Sequence, residues 1–213
     1  GSDAKDLDDA VYVERFPEGF KLIVSIADVS HYVKEKTKLD EEALKRGNSI
    51  YLVDRVIPML PRKLSNDLCS LNPNEDKLTF SAEIDFDLSG KVIRNDFYKS
   101  VIKSKHRMTY SKVNEIIAES EEANAEYQDI KEMVSDMLEL SKLLREEKKR
   151  RGSIDFELPE IKVVLNDDKS VKDIELRKRG ESERIIEDFM VAANEAVAEK
   201  LFWEEIPTIY RVH

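Results

Sequence analysis

The chain has 213 residues, 41% of them apolar and 38% charged, with a formal net charge of −10. That mixture is globular and long enough to bury a core, and no apolar stretch approaches the ~18 residues of a membrane span. The acidic N-terminus lacks the hydrophobic region of a signal peptide, and a single cysteine, Cys69, excludes a disulfide framework or multi-cysteine zinc site and points to a reducing cytoplasm.

The first predicted elements are two strands, 11–16 and 20–27, joined by a turn at Pro17-Glu18-Gly19. A short helix over 39–46 stops at Gly47, and a brief strand follows over 49–53. Pro58, Pro61 and Pro73 punctuate a long irregular stretch over 56–76, with a helical piece near 64–71. Strict alternation of Leu78, Phe80, Ala82, Ile84 and Phe86 predicts a half-buried strand over 78–88, turned by Ser89-Gly90 into 92–105. Thr109 or Ser111 caps a helix to about 118, and a second helix runs over 123–151 with Ile130, Val134, Met137, Leu140 or Ser141 and Leu144 on one stripe. Short strands are predicted over 154–156, 162–165 and 171–176. A strong helix over 183–201 carries Ile186, Phe189, Met190, Ala193, Val197 and Leu201 on its core face, and a strand begins at 209. No repeat or low-complexity linker divides the chain, so the expectation is one α+β unit: a mixed, largely antiparallel sheet with packed helices.

Asp6-Leu7-Asp8-Asp9, with Asp3 just before it, is the most informative run. Carboxylates crowded this closely repel one another unless a cation or strong donors sit among them. Hard oxygen ligands in a short run suit magnesium, which accepts a few carboxylates plus waters and substrate phosphates. The bland alternative is a solvated acidic N-terminus. An EF-hand loop fails because Ala10 and Val11 stand where a ligand and a glycine are needed. A phospho-aspartyl hydrolase needs an apolar strand ahead of Asp6, and none is there. The net charge argues against a simple nucleic-acid coat, but a nuclease can hold acidic metal ligands at its centre and still act on a polyanion.

Asp3-Ala4-Lys5-Asp6-Leu7-Asp8-Asp9-Ala10-Val11 resembles the catalytic-aspartate motif of the ribonuclease II/ribonuclease R family, the RNB exoribonuclease domain. Further blocks fall in the family's order: Ile26-Ala27-Asp28-Val29-Ser30-His31-Tyr32-Val33, then Tyr51 to Pro61 and on to Pro73, Arg107-Met108-Thr109-Tyr110, Ile154-Asp155-Phe156, Ile186 to Asn194, and Tyr210-Arg211-Val212-His213. The likeness spans the whole chain and sits nearer the ribonuclease R branch. It implies magnesium-dependent hydrolysis of single-stranded RNA from the 3′ end, releasing 5′-mononucleotides. It also implies Asp6 and Asp9 as metal ligands, and Asp8 as a ligand and the aspartate on which cleavage most depends. Tyr51 and Phe156 are implied to stack on bases and Glu187 to lie near the RNA 3′ end, where it could recognise a ribose hydroxyl. Asp28 and His31 read as structural, and Cys69 as a small buried hydrophobe. The opposing reading is a catalytically inactive RNB-like scaffold that binds RNA or protein.

The family motif has a further aspartate six residues before Asp6, one place before Gly1, and an arginine-bearing segment that falls beyond His213. The expectation is that 1–213 is the N-terminal two-thirds of an RNB catalytic domain, with no second domain, and that this piece alone is inactive or nearly so.

Overall fold

The first two alternating segments fold back on each other about the Pro17-Glu18 turn. In the computed structural model, which describes residues 4–154, 160–177 and 179–211, they form β1 (Asp9–Phe16) and β2 (Gly19–Ala27). A short helix α1 (Val29–Tyr32) and α2 (Lys38–Arg46) follow, the latter capped by the Thr37 side chain and closed at Gly47, whose φ of 73° is the left-handed conformation that favours glycine. Then come the two-residue strands β3 (Ile50–Tyr51) and β4 (Val56–Ile57), a π-helical turn at Leu64–Leu68, and the long strands β5 (Asp76–Asp87) and β6 (Val92–Lys103). Helices α3 (Tyr110–Ile117), α4 (Glu121–Glu126) and α5 (Lys131–Arg150) precede the hairpin β7 (Glu160–Leu165) and β8 (Val171–Arg177), and α6 (Glu181–Trp203) closes the described fold.

The main sheet has the order β1-β2-β5-β6, while β3-β4 and β7-β8 are separate ladders; every described pairing is antiparallel. Phe20, Leu22 and Val24 of β2 stand opposite Phe86, Ile84 and Ala82 of β5. With Val13 they meet Met137 and Leu140 of α5 and Ile185, Phe189, Ala193 and Ala196 of α6 in one core. Gly19 faces Asp87 so closely that an added Cβ would lie 1.8 Å from the Phe86 carbonyl oxygen, so only glycine fits that corner. Phe189 is fully buried, whereas Phe202 near the end of the same helix is 60% exposed. Phe189→Ala is therefore expected to cost about 3–5 kcal/mol in urea unfolding, and Phe202→Ala to stay within about 0.5 kcal/mol.

The opposite face of the sheet is covered at its other end. There Ala27, Leu64, Cys69 and Leu71 form a second cluster, joined by Leu7, Ala10, Tyr32 and Leu60. This corrects the expectation for β5. Phe80 is 43% exposed, and Lys77, Thr79 and Ser81 are buried instead, because β5 runs out from under the helices and beneath the 60–71 segment. The buried hydroxyls satisfy one another: Ser25 and Ser81 lie 2.7 Å apart, Ser81 and Ser100 2.6 Å, Thr79 and Ser100 2.7 Å.

Four other expectations are corrected. The single helix over 123–151 is two, interrupted at 127–130, where Tyr127 packs edge-on against His106 and Asp129 bonds the same imidazole at 2.8 Å. The core stripe of α6 runs through Ile185 rather than Ile186, continuing Phe189, Ala193 and Ala196, with Ile186, Met190, Val197 and Leu201 flanking it half-buried. Residues 206–211 form no strand, and Ile209 is 99% exposed. Ile154 is likewise outside any strand, and the rest of that predicted segment, 155–156, lies outside the described residues.

Candidate active site

The acidic run lies on the segment that feeds β1, and its backbone is bonded at nearly every residue. Ser70 Oγ, from a side chain with no solvent exposure, accepts from the Leu7 N–H at 3.1 Å and donates to the Lys5 carbonyl at 3.2 Å. The Leu71 N–H donates to the Leu7 carbonyl at 2.8 Å, and the Ala27 N–H to the Asp8 carbonyl at 3.0 Å. Arg107, just before α3, donates to the Ala4 carbonyl at 2.5 Å. Leu7 thus turns into the second core cluster, and its neighbours Asp6 and Asp8 carry their carboxylates outward together.

Packing and like charge act on these groups. The surrounding protein, and then the charges of Asp6 and Asp9, raise the proton affinity of the Asp8 carboxyl above the usual aspartate range; packing alone does so for Asp9. An acid whose proton affinity rises on folding stabilises the fold when protonated, and that contribution is lost as pH climbs through the carboxylate range. Neutral pH therefore finds both residues costing stability. Asp8 is nonetheless exposed to solvent, which screens its neighbours, so Asp8→Asn is expected to raise the melting temperature by only about a degree at neutral pH, with the gain shrinking as pH falls toward about 4; thermal unfolding at both pH values checks this.

Tyr51 stands beside this charge on the β3-β4 hairpin. Its ring is 68% exposed, and its hydroxyl reaches Asp6 Oδ2 at 3.5 Å, the long limit of a hydrogen bond. Desolvation, then the charges of Asp6 and Asp8, raise the phenol's proton affinity.

Residues 1–213 match the family model described as the RNB domain. The chain belongs to the RNB domain family. Among curated proteins it is 52% identical over 215 residues to ribonuclease R of Thermotoga maritima, covering all of this chain and 30% of that protein. Against ribonuclease R of Mycoplasmopsis pulmonis the identity is 48% over 213 residues, covering 29% of that protein. This RNB domain thus spans about a third of the length of the relatives it matches. Mycoplasma genitalium RNase R in complex with ribose-methylated single-stranded RNA superposes with a TM-score of 0.93 at 37% identity, covering all of this chain and 33% of that one. The same enzyme in complex with double-stranded RNA gives 0.92. Yeast Ssd1, a pseudonuclease, shares the fold at a TM-score of 0.70 and 17% identity, so chemistry has to be argued from residues rather than from the RNB fold.

Glu187 lies on the exposed face of α6 and is ion-paired with Arg179. Phe156 falls outside the described residues. Asp28 is a buried structural carboxylate: it accepts from Ser30 Oγ at 2.5 Å and lies 3.1 Å from Lys99 Nζ, contacts that hold it well ionised. His31 is exposed, its ring edge-on to Tyr32. Cys69 is 4% exposed, and burial, followed by the charge of Asp8, raises its thiol proton affinity, so it packs as a small hydrophobe. Ser70 and Arg107 were missed as positioning groups; a small polar residue inside the apolar run Leu68-Cys69-Ser70-Leu71 was the available signal for the former.

The donor chemistry fits a hard divalent cation. Asp6, Asp8 and Asp9 are oxygen donors; packing raises the proton affinity of Asp8 and Asp9, and like charge adds to it at Asp8. Among the described residues no three acidic, imidazole or thiol groups converge on one point. Magnesium, which is held by one or two carboxylates with waters and substrate phosphate filling its shell, suits such a set.

Among the described residues no helix is long and apolar enough to cross a membrane.

Proposed function

We propose that this RNB domain belongs to a cytoplasmic, magnesium-dependent exoribonuclease that hydrolyses single-stranded RNA from its 3′ end and releases 5′-mononucleotides. Residues 1–213 would be the N-terminal two-thirds of its catalytic domain, inactive or nearly so alone. The observation that carries this reading is the juxtaposition of Asp6 and the exposed Tyr51 ring, their side chains 3.5 Å apart. A stacking surface beside carboxylate donors suits a base and its own phosphate held at the same time.

Asp6, Asp8 and Asp9 would hold magnesium, which when bound activates a water and neutralises charge on the scissile phosphate and leaving oxygen. Without cations the run repels RNA, so binding of the terminal phosphate depends on their neutralisation. Ser70, Leu71 and Arg107 fix the backbone so that the carboxylates do not reorganise as charge develops. Tyr51 offers a π face that any base can use; Phe156 would be a second stacking ring and Glu187 would meet a ribose hydroxyl. Stacking on one ring is worth about 1–3 kcal/mol. Tyr51→Ala is therefore expected to raise KM for single-stranded RNA roughly tenfold with a smaller change in kcat, while Tyr51→Phe keeps the ring and stays near wild type; steady-state kinetics check this.

The test is product analysis with the full-length protein on 5′-labelled single-stranded RNA. Stepwise shortening from the 3′ end, 5′-mononucleotide products and arrest by chelation are expected. Internal cuts or turnover that survives chelation would overturn the reading, and RNA binding with no cleavage would favour the inactive scaffold.

A further inference from the structure

The β3-β4 hairpin that carries Tyr51 is held by its ends rather than by packing. Its ladder has two residue pairs, Ile50 with Ile57 and Tyr51 with Val56, plus one turn bond from the Leu52 N–H to the Arg55 carbonyl at 2.8 Å. A ladder this short is marginal on its own. Ile50, Tyr51, Leu52, Val53, Val56 and Ile57 are all between 38% and 68% exposed, so burial contributes little. Polar tethers act at the base: Met59 N–H to Ser49 Oγ at 3.0 Å and Arg46 Nη1 to the Pro58 carbonyl at 3.2 Å.

The turn itself is anchored from far along the chain. Asp54, with a side chain only 15% exposed, uses one oxygen for Arg55 Nε at 3.0 Å and the other for Lys169 Nζ at 3.1 Å. Lys169 sits in the turn of the β7-β8 hairpin, which is tightly built: Asn166 N–H donates to the Ser170 carbonyl at 2.9 Å, Lys169 N–H to the Asn166 carbonyl at 2.9 Å, and Ser170 Oγ to Asp168 Oδ1 at 2.5 Å. Lys169 has a φ of 67°, a conformation that glycine or asparagine takes at less cost. A lysine there adds strain that a turn alone does not require.

We propose that Lys169 is a positioning residue for Tyr51: by clamping Asp54 it latches the β7-β8 turn to the β3-β4 turn and sets where the stacking ring stands beside Asp6. The role of the ring as a base platform rests on the exoribonuclease reading; the latch itself does not. With Asp54 bound at both oxygens, the two hairpins brace each other, although neither is buried. Loss of Lys169 leaves Asp54 bound to Arg55 and frees the turn to move relative to the acidic run.

The experiment uses the full-length protein and compares Lys169→Ala, Lys169→Gly and the charge-keeping Lys169→Arg. Without RNA, hydrogen exchange at the Leu52 amide reports opening of the hairpin. With single-stranded RNA, KM and kcat are measured separately. Lys169→Ala is expected to speed exchange at Leu52 and to raise KM by about threefold, with kcat close to wild type. Lys169→Gly is expected to do the same while relieving the backbone strain, and Lys169→Arg, which keeps the cation for Asp54, to stay near wild type in both readouts. Unchanged exchange and KM in Lys169→Ala and Lys169→Gly would overturn the latch, as would a Lys169→Arg variant as defective as Lys169→Ala in both readouts. A wild-type protein with no ribonuclease activity would remove the exoribonuclease reading instead, while faster exchange in Lys169→Ala would still support the latch.

Discussion

Asp8→Asn in the full-length protein will lower hydrolysis of single-stranded RNA by on the order of 10³-fold, while leaving RNA affinity within about threefold and the fold intact. The substitution keeps the size of the side chain and removes one charge. Packing and the charges of Asp6 and Asp9 both raise the proton affinity of the Asp8 carboxyl, a burden that a bound cation would relieve. Stacking on Tyr51 does not need the Asp8 charge, so binding survives when chemistry does not. The combination of lost turnover, kept affinity and a raised melting temperature separates a functional carboxylate from a surface one, for which all three quantities would stay put.

Ser70→Ala will have the second-largest effect, from a residue that need never touch RNA. Its hydroxyl serves the backbone on both sides of Asp6, accepting from Leu7 and donating to Lys5. Truncation strips a part-buried N–H and a carbonyl of their partner, which costs about 1 kcal/mol or somewhat more. The loop that carries Asp6 and Asp8 then loses two of its fixed points. Turnover is expected to fall by about tenfold or more, with a higher magnesium concentration needed for half-maximal rate. Ser141→Ala is the control: that hydroxyl is equally buried and donates to Asp188 Oδ2 at 2.6 Å, between α5 and α6. It should cost comparable stability and leave the magnesium requirement unchanged. Equal kinetic defects in the two variants would mean that Ser70 acts only through general stability.

Much of this architecture was legible because its signals are local. Thr37 and Gly47 bracket α2, Pro17-Glu18-Gly19 turns the first hairpin, and Thr109 caps α3, each through contacts within a few residues. The acidic run was legible as chemistry for the same reason. What escaped depends on contacts made far along the chain. Alternation in β5 says that two faces differ, but not that the helices leave Phe80 uncovered while the 60–71 segment buries Thr79 and Ser81. The strand partner of Tyr51 sat inside a stretch that reads as irregular, since Val56–Ile57 is too short to carry a pattern. The break between α4 and α5 follows from His106 meeting Tyr127 and Asp129 across 21 to 23 residues of sequence. Ser70, Arg107 and Lys169 reach the site over separations of 63, 103 and 115 residues, beyond any spacing rule.

Direct titration of the full-length protein with magnesium, followed by calorimetry in the absence of RNA, tests the central claim most closely. Saturable binding is predicted for the wild type, weakened strongly in Asp8→Asn and abolished when Asp6, Asp8 and Asp9 are all changed to asparagine. Identical binding in the wild type and the triple variant would contradict it, and would return the acidic run to the status of a solvated surface.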